Sequence, residues 1–101
     1  MVPKDQAEAA FSRVIQYSPT SALRKAAEAY WTAYNAGAAV DEKICDKFEK
    51  AVQGIPIDYR RPALECYDTF ENRKVAGDDI ADCYNSLALC ISEKIIPLTG
   101  K

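Results

Sequence analysis

"GDDIADCYNSLALCISEKIIP", residues 77–97, decides the fold class. Between Gly77 and Pro97 the apolar side chains recur at helical spacing, and almost nothing alternates as a strand would. Asp78, Asp79 and Asp82 stand at the start of the run, where a helix dipole and its unpaired N–H groups favour acids. The stretch predicts a helix from about Asp79 to Ile95. Its "LALCI" portion is apolar nearly all round, so this helix belongs at the centre of a bundle and other segments must cover it.

Those segments lie upstream. A first helix is predicted from about Asp5 to Tyr17, with Ala7, Phe11, Val14, Ile15 and Ser18 along one side. Ser18-Pro19 closes it and opens a second, since proline suits a first helical turn. The second runs to about Asn35, buries Leu23, Ala26, Ala27, Tyr30, Trp31 and Tyr34, and stops at Gly37. Asp41 caps a third helix, with Val40 and Cys45 as a hydrophobic staple and Ile44, Cys45, Phe48 and Val52 as the inner stripe. A fourth begins between Asp58 and Pro62 and carries Ala63, Cys66, Tyr67 and Phe70 on one face. Short connections favour antiparallel neighbours. The expected fold is all-α: one domain over residues 1–101, a compact bundle of four to five short antiparallel helices.

Composition narrows the function classes. The chain has 101 residues, 49% hydrophobic and 28% charged, the balance of a soluble globular domain rather than a disordered segment. Net charge is −2, and residues 1–50 hold seven basic and seven acidic side chains, so no basic stripe points to nucleic acid. No apolar run reaches the roughly 20 residues that span a bilayer, and no signal-type segment opens the chain. There is no histidine, which removes Ser-His-Asp and Cys-His arrangements and imidazole metal sites. Phosphate-cradling glycine motifs are lacking as well. A non-enzyme without catalytic residues, metal or cofactor is expected.

The four cysteines, Cys45, Cys66, Cys83 and Cys90, are spaced C-x20-C-x16-C-x6-C. That spacing has no C-x2-C pair and does not resemble a structural zinc site. Cys83 and Cys90 lie two turns apart on one helix, roughly 10 Å, too far for a disulfide that needs Cα atoms within about 7 Å. Each therefore looks to another helix. A hairpin turning near Val75 to Gly77 sets Cys66 opposite about residue 86, which favours Cys66–Cys83, leaving Cys45–Cys90. The alternative is Cys45–Cys83 with Cys66–Cys90. Two such staples are expected, and with them an oxidising compartment: secreted, periplasmic or an organellar lumen. Unpaired, the same thiols would be small core hydrophobes of a cytoplasmic protein. The acids around Cys83 argue against a reactive thiolate there.

Three stretches are candidate interaction surfaces. Tyr30, Trp31 and Tyr34 bring large rings into an alanine-rich helix. Arg60 and Arg61 follow "GIPIDY" and suit a carboxylate or phosphate. Ile96 and Leu98 lie at or beyond the last helix end. The function expected from these features is structural: a small disulfide-stabilised subunit docking onto a protein partner or larger assembly, with an extrinsic place on a membrane complex included. The alternative is a small helical carrier of a lipid, pigment or other apolar ligand.

Overall fold

Capping chemistry sets where the helices begin. In the computed structural model, which describes residues 2–37 and 40–99, the chain forms α1 (Lys4–Tyr17), α2 (Ser21–Asn35), α3 (Glu42–Gln53), α4 (Arg60–Val75) and α5 (Ile80–Lys94). The Thr20 hydroxyl accepts the Leu23 N–H at 3.0 Å, so α2 starts after Thr20 and Pro19 lies outside its first turn. Asp41 accepts the Lys43 N–H at 3.0 Å, and Asp79 accepts the Asp82 N–H at 3.1 Å. Short 3-10 turns at Ile57–Tyr59 and Ile96–Thr99 lead into α4 and out of α5. The turns after α2 and α4 run through Gly37 and Gly77 at φ +77 and +87, a left-handed conformation that glycine adopts without steric penalty.

Each helix packs on the next, and α1 packs on α5, so the five close into a ring. Every helix contributes one buried aromatic side chain to the centre: Phe11, Tyr30, Phe48, Phe70 and Tyr84. Tyr30 lies 5.4 Å from Phe11, 5.7 Å from Phe48 and 5.1 Å from Tyr84, centroid to centroid. Phe70 closes on Tyr84 at 4.8 Å. Burying such a ring stabilises by about 1.5–3 kcal/mol, with about 0.5–1.5 kcal/mol more for each well-placed aromatic pair. α5 is one member of this ring rather than its axis, but the expectation that other segments cover it holds in its burial: Cys83, Tyr84, Leu87, Ala88 and Ile91 are all buried there.

Two residues expected at an interaction surface are core residues instead. Tyr30 is enclosed by the rings just described. Ile96 is fully buried because the turn Ile96–Thr99 folds back on α1 and α5 rather than trailing into solvent.

Phe48→Ala removes the α3 member of the ring cluster and is expected to lower unfolding stability by about 3–5 kcal/mol. Ile57→Ser, at a position 78% exposed, should stay within about 0.5 kcal/mol of the parent. Chemical denaturation of both variants checks the contrast; equal losses would contradict the packing.

Candidate functional site

One disulfide joins Cys66 to Cys90 across α4 and α5, with Cα atoms 5.7 Å apart, while Cys45 and Cys83 are free thiols. This is one bridge of the alternative pairing; the favoured pairs Cys66–Cys83 and Cys45–Cys90 and a second staple are not present among the described residues. The hairpin geometry explains the first difference. Because α4 runs to Val75 and α5 begins only at Ile80, the midpoint falls between Gly77 and Asp78 and brings Cys66 level with Leu89, next to Cys90. The second follows from Tyr84, whose O–H donates to Glu49 Oε2 on α3 at 2.6 Å. Neighbours on a helix diverge by about 100°, so with Tyr84 turned to α3, Cys83 is not. The Cys83 thiol instead lies 3.9 Å from the Asp78 carbonyl oxygen, as a weak donor. Burial pushes both free thiols up, which keeps them protonated and slow as nucleophiles.

The acidic start of α5 is occupied by structural work. Arg73 Nε pairs with Asp78 Oδ2 at 3.1 Å, its Nη2 with Asp82 Oδ2 at 2.7 Å, and its Nη1 donates to Ser86 Oγ. The Val2 N–H donates to Asp82 Oδ1 at 2.6 Å, tying the N-terminal segment to the same carboxylate. On the neighbouring face Lys74 Nζ lies 3.4 Å from Glu49 Oε1, the carboxylate that also receives Tyr84. These two networks lock the α4–α5 turn to α3 and to the N-terminal segment. Among the described residues no three carboxylate or thiol side chains converge as metal ligands do.

The remaining expected surface residues are scattered. Trp31 and Tyr34 are half-buried and stacked at 5.5 Å, with Trp31 also against Phe11 at 4.9 Å. Arg60 and Arg61 are exposed at the start of α4, Arg60 beside Leu64 and Tyr67 at a small cleft of about 240 Å³. Leu98 is 57% exposed at the far end of the chain. No common site gathers them.

A different surface forms a wide concavity. Between α2 and α3 runs a groove of about 670 Å³ whose floor is Ala22, Ala26, Ala29 and Ala51 with Ile44, and whose rim carries Lys25, Lys47 and Lys50. It continues past Ala33 to Ala36 as a shallower hollow of about 520 Å³ sharing Lys25, Ala29 and Ile44, with Glu28 on its edge. Alanines too short to fill the crevice between two helices leave it open. The sequence signal was the alanine spacing along α2; the lysines come from two helices and carry no joint signature.

The chain matches no protein-family model, and no curated protein or solved structure at a significant level. What its geometry defines is an all-helical bundle with one interhelical disulfide and, among the described residues, no helix long and apolar enough to cross a membrane.

Alkylation of the denatured, unreduced chain should label Cys45 and Cys83 alone, with Cys66 and Cys90 labelled only after reduction. Peptide mass mapping checks this, and a Cys66–Cys83 crosslink would refute the hairpin register. Alkaline titration reads the core separately. Tyr67 is pushed up to about 12 by burial and its hydrogen bond to Glu71. Burial also pushes Tyr30 and Tyr84 well above the ordinary 10.0, Tyr84 further through its bond to Glu49. Unfolded phenols release protons first, so the stability these groups contribute is intact below pH 10 and is lost as pH rises through about 12. Phenolate absorbance of the late tyrosines should rise together with loss of helical circular dichroism; full ionisation before helix loss would contradict their burial.

Proposed function

We propose that this protein is a non-catalytic interaction module whose α2–α3 groove receives an acidic amphipathic helix of a partner protein. The observation that carries this reading is the lysine-rimmed alanine floor. Three cations, Lys25, Lys47 and Lys50, edge an apolar trough in a chain whose net charge is −2. The 15 residues of α2 make a helix about 22 Å long, so the groove accommodates three to four turns of a ligand helix. Small residues on the floor allow close backbone approach, and the partner's apolar face supplies the volume the alanines lack. Rim pairs of this kind add little affinity singly, about 0.2–1 kcal/mol each, but they steer encounter and fix orientation. The Cys66–Cys90 disulfide is compatible with an oxidising compartment. The setting proposed is accordingly secreted, periplasmic or lumenal, where a small rigid subunit could dock onto a larger assembly, a membrane complex among them.

Two fluorescent helical peptides with the same Leu-rich face test the reading, one with Glu and the other with Lys on its remaining positions. Only the Glu peptide should bind, with affinity falling as salt rises. The triple change Lys25→Glu, Lys47→Glu and Lys50→Glu should weaken it by about tenfold or more. Equal binding of both peptides, or an unaffected triple variant, would remove the groove as the docking surface. Tight binding of a fluorescent fatty acid with no peptide binding would shift the reading to a carrier that holds an acyl chain in the same trough.

A further inference from the structure

The two walls of the α2–α3 groove differ in charge. On the α3 side Lys47 and Lys50 line it. Lys43, four residues before Lys47, extends the same row toward the start of α3, since residues three and four apart share a helix face. All three are exposed. The acids of α3 stay out of the groove. Glu42 and Asp46 lie two residues either side of Ile44, which turns them about 160° from that floor residue, to the solvent side. Glu49 is held by Lys74 and Tyr84.

On the α2 side the sign changes within one turn. Lys25 lines the groove, and Glu28 stands on its edge three residues on. Beyond Glu28 the wall is uncharged, continuing as Thr32, Ala33 and Ala36. No ion pair among the described residues engages Lys25, Glu28, Lys43, Lys47 or Lys50; the paired cations are Arg73, Lys74 and Lys94. The groove charges are therefore complementary to groups from outside the chain.

Walls of unlike charge give a docked helix a direction. A helix lying apolar side down has one flank toward α2 and the other toward α3, and turning it end for end exchanges them. Acids confined to one flank meet Lys43, Lys47 and Lys50 in one direction. In the reverse direction they meet Lys25 and Glu28, one attraction and one repulsion.

We propose that the partner helix carries its acids on a single flank, three or four residues apart to match Lys43, Lys47 and Lys50, and that this flank fixes which way the helix lies in the groove. Its other flank is uncharged or bears a base opposite Glu28. The proposal rests on the groove being a helix-docking site and adds the partner's charge pattern and polarity.

Two peptides of equal composition and the same Leu-rich face test it. One carries Glu on the first flank and Gln on the second; the other has the two exchanged. Each bears a nitroxide at its N-terminus, and broadening of amide NMR signals in the full chain reads where that end lies. The groove ends are marked by Thr20 with Gly54 and by Ala36 with Ile44. The two peptides should broaden opposite ends, each direction favoured about tenfold over its reverse. Glu28→Lys makes both walls cationic, so either peptide should then broaden both ends. The proposal is overturned if both peptides lie the same way, if either lies both ways in the parent chain, or if Glu28→Lys leaves the directions unchanged. Binding without a preferred direction removes this proposal alone. Binding of neither peptide removes the helix-docking reading of the groove, and this proposal with it.

Discussion

Phe11, Tyr30, Phe48, Phe70 and Tyr84 come from five different helices and meet in one cluster of buried rings, with several centroid separations between 4.8 and 5.9 Å. Each helix therefore has its inner face, and with it its rotation about its own axis, set by a ring that must reach the others. A planar side chain tolerates few packings, and interiors are as dense as organic crystals, so a turn of one helix by a fraction of its circumference would leave a void or a clash. The closed order in which α5 meets both α1 and α4 follows from this convergence. Tyr84 has a double part, ring in the core and O–H on Glu49, and so joins the apolar cluster to the polar one.

The α4–α5 hairpin is held at two levels. Near the turn Arg73 gathers Asp78, Asp82 and Ser86; some two turns away Cys66 and Cys90 are covalently joined. Closing a loop of this length restricts the unfolded chain and adds about 2–4 kcal/mol where the native geometry is unstrained. The α2–α3 pair packs Tyr30 on Phe48 at 5.7 Å in the core, with no disulfide between the two helices among the described residues, and nearer the surface it meets over alanines, whose small size leaves the groove. Covalent and ionic fastening thus holds one side of the bundle, and a small-residue seam with an open groove marks the other.

Much of the fold was legible because helical periodicity, glycine stops and acidic caps are local. Asp41, Asp79, Gly37 and Gly77 do what their neighbours in sequence imply. Phe11, Leu23, Phe48 and Phe70 could be assigned to inner faces from spacing alone. The candidate sites were much less legible. Tyr30, Trp31 and Tyr34 form a visible aromatic run, yet one ring is core and two are half-buried, which depends on how α1 and α5 cover α2. Lys25 and Lys47 are 22 residues apart in sequence and become neighbours only when α2 lies on α3. A buried hydroxyl with no hydrogen-bond partner among the described residues, such as that of Tyr30, has no sequence signature at all, since it is defined by what surrounds it.

The amino-acid sequence by itself determined an all-helical chain of four to five helices, their approximate limits, the strongly buried character of α5 and the impossibility of a Cys83–Cys90 bridge. These are matters of 3.6-residue period, capping groups and rise per residue, all contained within single helices. Only the tertiary structure decided that Cys66 meets Cys90, that Cys45 and Cys83 stay free, that Ile96 is buried, and where the α2–α3 groove lies. Those outcomes hinge on the axial offset and rotation of one helix against another. A hairpin midpoint displaced by about one and a half residues changes a cysteine's level partner by about three, nearly a full turn. No local pattern encodes that displacement; the packing of the rings and the length of the turn do.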